Sequence, residues 1–302
     1  MAEILSIPQF DGMNWRVFAP AKVNLGLHIT ARRADGYHDL ESIVAFASVG
    51  DKITYDPKAP TSFDITGPFA HLFSHNEMDA TPQSQNLIFK VAYAAANMFG
   101  HEFDGRVTLE KNLPLAAGIG GGSADAAAMI RLLSAHWRDE RLLEDLSWCA
   151  KFGADIPVCV RAKSQFMYGT GSELLSLDNV PRLHALLINP LVPTPTGAIF
   201  KALSPPFSAS RMNEILSHKE IMTLDYLKTW RNDMQEAAVE LCPVIDEILS
   251  SCLENIDCQW AQMSGSGATC FAIYDNEESA QSAAQIIAKD HPEWWVQIAI
   301  FE

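Results

Sequence analysis

Four glycines fall within five residues in Pro114-Leu115-Ala116-Ala117-Gly118-Ile119-Gly120-Gly121-Gly122-Ser123-Ala124. Without Cβ atoms in the way, successive backbone N–H groups can converge on one point. The run Ser123 to Leu133 that follows is made of strong helix formers, so the convergence falls at a helix N-terminus. Phosphate binding is the chemistry that suits such a cradle; the alternative is a flexible turn capped by Ser123. Two other glycine-rich readings fail. A Walker A loop ends in Gly-Lys-Ser/Thr, whereas Gly122 is followed by Ser-Ala-Asp. A dinucleotide fingerprint starting at Gly118-x-Gly120 would have its acidic residue in Asp139, about 20 residues on, but no strand is expected between the helix and Asp139.

Lys22 and Asn24, in Pro20-Ala-Lys-Val-Asn24, stand two apart on an extended segment, so a cation and an amide share one face. Gly36-Tyr37-His38 sets an aromatic plane beside a donor and acceptor, which suits a flat heterocycle or plain packing. Gly153-Ala-Asp-Ile-Pro157 places the Asp155 carboxylate before an apolar, strand-like run from Ile156 to Val160, as a base candidate or as a cap or turn residue. Met263-Ser-Gly-Ser-Gly-Ala268 is a second small-residue loop, which either turns tightly or presses its backbone on a ligand. His71 and His75 lack the Glu of a zinc-protease helix, and no Gly-x-Ser-x-Gly elbow is present, so neither metal-dependent proteolysis nor acyl transfer is supported.

The first third of the chain reads as strands: Asn14 to Ala19, Val23 to Thr30 and Ser42 to Val49, broken by Pro20 and Asp35-Gly36. Irregular chain with at most one strand is expected over 56–85, then a helix from Asn86 to Met98 closed by Gly100, a strand from Arg106 to Leu109 and the glycine loop with its helix. Further on come a strand (Ala185 to Ile188), a rigid proline-rich loop from Pro190 to Ser208, and two helices (Asn232 to Leu241, Val244 to Leu253). Strands Trp260 to Met263 and Cys270 to Tyr274, a helix Glu278 to Lys289 and a strand Trp295 to Ile300 complete the pattern of an α+β sandwich. The 302 residues suggest two domains, and an apolar share of 48% is enough for two cores. A formal net charge of −15 argues against general affinity for nucleic acid or anionic membrane, so an anionic substrate needs a local positive pocket. Six scattered cysteines (149, 159, 242, 252, 258, 270) read as reduced, mostly buried thiols; no leader or membrane-spanning stretch is expected.

Taken in order, Pro20-Ala-Lys-x-Asn24, the loop 114–124 and Gly265-Ser-Gly267 before a strand resemble the galactokinase, homoserine kinase, mevalonate kinase and phosphomevalonate kinase (GHMP) superfamily. Arg33-Ala-Asp-Gly-Tyr-His38, Gly153-Ala-Asp-Ile-Pro157 and Asn232-Asp-Met-Gln235 are similar to its 4-diphosphocytidyl-2-C-methylerythritol kinase family. Ile119 and Ala124 depart from the Leu and Ser common there, and the chain is longer at its N-terminus and around 56–82. The resemblance implies an α+β architecture with a ribosomal-protein-S5-like, ATP-binding and catalytic domain over 1–163. A ferredoxin-like α/β sandwich, the substrate-binding domain, would follow over 164–302, with the active site in the cleft between them. It implies transfer of the ATP γ-phosphoryl group to the 2-hydroxyl of 4-diphosphocytidyl-2-C-methyl-D-erythritol, in the non-mevalonate route to isoprenoid precursors. By the same resemblance Asp155 takes the hydroxyl proton, Lys22 keeps that carboxylate ionised and polarises the acceptor oxygen, and Asn24 positions the acceptor. Residues 114 to 124 wrap the ATP phosphates, with Lys111 near the nucleotide. Tyr37 and His38 recognise cytosine with Phe200 on its other face, while Thr196, Gly265, Ser266 and Gly267 line the substrate site. Mg²⁺ would enter with ATP, Ser123 being the one protein ligand named for it. The expected partners are ATP and a cytidine diphosphate alcohol in a cytoplasmic monomer or weak homodimer. Phosphoryl transfer fits the residues independently, because it needs positioning and charge neutralisation more than covalent chemistry. Rivals are a diphosphomevalonate decarboxylase, another small-alcohol kinase and a non-catalytic member of the superfamily.

Overall fold

The computed structural model describes residues 6–218 and 222–302. The two strands expected on either side of Pro20 are one, β2 (Trp15–Arg32), and the expected Ser42 to Val49 extends to β3 (His38–Asp56). Pro20 does not break β2. Two residues on, and so facing the same way, Lys22 donates its N–H to Ile119 O at 3.0 Å and not to β3. The N–H missing at position 20 would share that direction, so its absence removes no bond to β3.

At 18 and 19 residues, β2 and β3 are about three times the usual strand length, and each serves both of the compact units into which the chain divides. The first unit comprises residues up to 21, 50–115 and 120–162; the second comprises 22–49, 116–119 and 163–302. A single cut between 163 and 164 therefore falls near only the last boundary. Residues 22–49, expected in an N-terminal domain, belong with the C-terminal part.

In the first unit β1 (Gln9–Phe10) pairs with the start of β2. β5 (Arg106–Glu110) lies antiparallel to the end of β3 and parallel to β4 (Ser62–Thr66), the single strand in the stretch expected to be irregular. Helix α1 (Leu87–Phe99) starts where Asn86 Oδ1 accepts the Ile88 N–H at 2.9 Å and ends at Gly100 with φ 78°, as its sequence predicts. Helix α2 (Gly121–Trp137) is buried on nearly all sides and packs against α1 and against α3 (Ile156–Arg161). That last element corrects the strand-like expectation for Ile156 to Val160. A short, continuous apolar run has no period to tell helix from strand, and Pro157 sits in the first turn, where its missing N–H has no partner to lose.

In the second unit β11 (Trp295–Phe301), β8 (Leu183–Asn189), β10 (Cys270–Tyr274) and β9 (Cys258–Met263) form an antiparallel ladder, and Phe301 of β11 pairs with Ala47 of β3. On β3 residues 40–44 pair with β6 (Gln165–Gly169), which pairs with β7 (Glu173–Ser176). Neither β6 nor β7 is evident in the sequence. The expected rigid loop Pro190 to Ser208 contains a helix, α4 (Thr196–Ala202). Helix α5 (Gln235–Leu241) starts later than Asn232 because Asn232 Oδ1 accepts the Met234 N–H at 3.0 Å, a local turn that competes with helix. Helices α6 (Val244–Leu253) and α7 (Glu277–Asp290) cover the ladder, with Leu186, Ile188, Ala272, Ile245, Ile248 and Ile287 in one core. All six cysteines are free thiols, and only Cys258 is more than slightly exposed. No described helix is long and apolar enough to cross a membrane.

Candidate active site

The glycine loop is built from two differently anchored pieces. Residues 116–119 belong to the second unit, where their carbonyls are taken in succession: Ala117 O accepts Thr269 N–H at 3.1 Å, Gly118 O accepts Ser264 Oγ–H at 3.1 Å, and Ile119 O accepts Lys22 N–H at 3.0 Å. Gly118 has φ +74°, and a Cβ there would lie 2.6 Å from Ser264 O and 2.7 Å from Gly267 O. The small-residue loop Met263 to Ala268 thus presses its backbone on Gly118, which settles why both loops need glycine. Pro114 and Leu115 lead in from the first unit, and Ala116 also has positive φ.

Residues 120–124 belong to the first unit. Gly120 (φ 64°) is the N-cap of α2, so the alternative of a turn capped by Ser123 does not hold; Ser123 lies inside the first turn. The helix ladder opens with Ala124 N–H to Gly120 O at 2.8 Å, and among the described residues the N–H groups of Gly121, Gly122 and Ser123 have no acceptor. Three free donors at the positive end of a buried helix suit an anion. Among the described residues no group of three or more His, Cys, Asp or Glu side chains could hold a metal ion.

Further along the same face of β2 as Lys22, Asn24 is fixed by its neighbours. Its N–H donates to Ser264 Oγ at 3.0 Å and its Nδ2 to Ser42 Oγ at 2.7 Å, while Ser42 Oγ–H donates to Gly26 O at 2.6 Å. Since the Ser42 hydroxyl spends its proton on Gly26, it must accept from Asn24, and the amide cannot be flipped. Asn24 Oδ1 is left buried without a partner, in a residue only 1% exposed, and a Cβ on Gly265 would come within 3.2 Å of it. Lys22 is likewise buried, at 4% exposed.

His38, at the start of β3, stacks on Phe200 of α4 with ring centroids 5.5 Å apart, and Phe207 meets it edge-on at 6.0 Å. Burial, and then the charge of Arg32, hold the imidazole below its ordinary value, so the ring is neutral at pH 7. Its Nε2 is buried without a partner. Tyr37, by contrast, is 69% exposed, its N–H donating to Asp35 Oδ1 at 3.0 Å. At the start of α4, Thr196 Oγ1 is 2.8 Å from Ser266 Oγ. Asn24, Tyr37, His38, Thr196, Phe200 and Gly265 to Gly267 all belong to the second unit; Asp155, half-buried at the N-cap of α3, belongs to the first.

Lys111, only 1% exposed, makes ion pairs with Asp51 Oδ2 at 2.6 Å and Asp125 Oδ2 at 2.7 Å, so its charge is neutralised inside the first unit. Sequence reasoning passed over both aspartates, although each interrupts an apolar run. It also gave Asn232 no role. The Nδ2 of Asn232 donates to Met263 O and Gly265 O, both at 2.8 Å, and so braces the second glycine loop.

Free amides at a buried helix N-terminus in the first unit, and a buried cation and an orphaned amide oxygen in the second, are the equipment of a small-molecule kinase. The family model described as "GHMP kinases N terminal domain" matches residues 86–163, and "GHMP kinases C terminal" matches residues 213–293. Relatives named 4-diphosphocytidyl-2-C-methyl-D-erythritol kinase include one from Dinoroseobacter shibae, 41% identical over 92% of this chain and 92% of its own. Another, from Paramagnetospirillum magneticum, is 38% identical over 94% and 97%. A crystal structure of 4-(cytidine 5'-diphospho)-2C-methyl-D-erythritol kinase superposes with a TM-score of 0.75 at 27% identity, covering 94% of this chain and 98% of that one. Homoserine kinase from Cytophaga hutchinsonii, at 17% identity and a TM-score of 0.65, shares the fold. The chain belongs to the GHMP kinases and, within them, to the 4-diphosphocytidyl-2-C-methyl-D-erythritol kinase family.

Proposed function

We propose that the chain transfers the γ-phosphoryl group of ATP to the 2-hydroxyl of 4-diphosphocytidyl-2-C-methyl-D-erythritol, giving the 2-phosphate and ADP on the non-mevalonate route to isoprenoid precursors. The observation that carries the acceptor's identity is His38. A neutral, buried imidazole stacked on Phe200, with an unpartnered ring nitrogen, is matched to a flat heterocycle with its own hydrogen-bonding edge, and cytosine is such a ring. Tyr37 is the proposed second aromatic face, its exposure leaving it free to close on the base. Thr196 and Ser266 are the proposed contacts to the rest of the acceptor.

Asn24 Oδ1 accepts a hydrogen bond from another hydroxyl of the acceptor and so orients the molecule, leaving the proton of the reacting hydroxyl for the base. Lys22 offsets negative charge on the attacking oxygen, and Asp155 takes its proton. Residues 114 to 124 hold the phosphates, Gly121 to Ser123 by their free N–H groups. Mg²⁺ bound to ATP would neutralise phosphate charge, and the hydroxyl of Ser123, in the first turn of α2, fits as its protein ligand. With a formal net charge of −15, such neutralisation is needed wherever two polyanions meet on this protein. A cytoplasmic monomer or weak homodimer is part of the proposal.

An ADP-release assay over a panel of alcohols, each with and without a cytidine diphosphate group, tests it. Turnover is expected only with that group attached, and CMP or CDP should compete with the acceptor. Equal turnover of mevalonate, homoserine or galactose would overturn the acceptor assignment.

A further inference from the structure

The first unit contains a chain of charged side chains that the phosphoryl-transfer scheme does not use. Asp51 Oδ1 accepts the backbone N–H of Asn112 at 2.6 Å and of Leu113 at 2.8 Å, gripping the segment that leads into the glycine loop at Pro114. Its other oxygen holds Lys111 Nζ, and Lys111 reaches Asp125 in the second turn of α2, the helix that leads out of the loop. A Cβ on Gly121 would stand 3.2 Å from Lys111 Nζ, so the ammonium lies against the first turn itself. All three side chains are at most 5% exposed.

We propose that Asp51, Lys111 and Asp125 form a strut that holds the two ends of the glycine loop in register, and thereby positions the free N–H groups of Gly121 to Ser123 for the nucleotide without touching it. The proposal rests on the reading of residues 114–124 as the nucleotide's phosphate site. Buried charges are a costly way to fill a core, and apolar residues of similar volume often do it as well. What charged hydrogen bonds add is short, directional geometry. Burial, and then the charge of Asp51, push Asp125 well above the ordinary carboxylate range, while Lys111, against its own burial, keeps its proton between the two carboxylates. Asp125 Oδ2 accepts from Lys111 Nζ, and its Oδ1 has no partner among the described residues.

Asp125→Asn is the conservative variant, since an amide of the same shape keeps an oxygen acceptor for Lys111. Asp125→Leu cuts the strut at α2 while leaving the Lys111–Asp51 pair in place. Full-length proteins are compared by calorimetric ATP affinity, steady-state kinetics and thermal melting. Asp125→Leu is expected to raise the ATP Kd and KM about tenfold or more, as displaced binding groups do. Its kcat at saturating ATP and its acceptor KM should stay within about threefold of wild type, and Asp125→Asn should recover ATP affinity to the same margin. A folded Asp125→Leu with wild-type ATP affinity, or one losing ATP and acceptor affinity equally, overturns the strut. If Asp125→Leu does not fold, Asp51→Asn decides on the same criteria, because its amide nitrogen must face either Lys111 or the two N–H donors. A wild-type protein that binds no ATP would instead overturn the nucleotide reading itself.

Discussion

His38 works through the one property that separates histidine from other rings of its size, a nitrogen that can be neutral at pH 7. Burial favours the uncharged form, and Arg32 adds to that, so the folded ring protonates below its ordinary value of 6.5. The sign follows: between the lowered value and 6.5 the unfolded chain binds a proton that the native one does not, so stability from this residue is full above pH 6.5 and is lost as pH falls through that window. Acceptor binding should follow the neutral form of the native ring, flat down to the lowered value and weakening below it, so that its acid limb lies below pH 6.5. His38→Phe keeps a ring against Phe200 and removes the nitrogen. It is expected to weaken acceptor binding about tenfold, one hydrogen bond's worth, and to abolish the acid limb while ATP binding stays as it was. An acid limb that survives in His38→Phe would assign the titration elsewhere.

Among the elements, the two glycine loops behave as a clasp, and Gly118 is its tightest point. A methyl group there meets two backbone carbonyl oxygens at 2.6 and 2.7 Å in a left-handed conformation that alone costs about 1 kcal/mol or more. Gly118→Ala is therefore expected to lower the melting temperature and cut kcat/KM for ATP by about tenfold or more. Gly121→Ala, whose methyl meets no backbone oxygen and stands 3.2 Å from Lys111 Nζ and 3.7 Å from Leu113 without needing a left-handed backbone, should cost less. The reverse order, measured on the two purified variants, would mean that the clasp is not what shapes the loop. The glycine run is legible as a loop opening onto a helix, but which glycine lacks room is not, because that depends on Ser264 and Gly267 from a distant part of the chain. The same limit recurs. Helix α1 could be read between Asn86 and Gly100 because both of its stops are local. The joining of two strands across Pro20 and the helical state of Ile156 to Val160 were decided by partners that no window contains. The roles of Asp51 and Asp125 were invisible for a further reason: an isolated acid in an apolar run looks like a solvated exception until its cation is located.

At the scale of the whole molecule, the residues proposed for chemistry are divided between the two units. Lys22 and Asn24 lie in the second, Asp155 in the first. In the sequence they stand in separate motifs, and the resemblance implies a shared step for them. Whether they share it is a question of energetic coupling. Asp155→Asn keeps shape and removes the proton acceptor, so single-turnover phosphoryl transfer should slow by about 10² or more with ATP and acceptor affinities nearly unchanged. Lys22→Met keeps the length of the side chain and removes the charge, and should cost a comparable factor. If the cation holds the carboxylate ionised and then offsets charge on the oxygen it deprotonates, removing either group leaves the other with little to do. The double variant should then be far less impaired than the product of the single losses. Losses that simply multiply would make Lys22 and Asp155 independent contributors, and a near wild-type Asp155→Asn would remove Asp155 as the base.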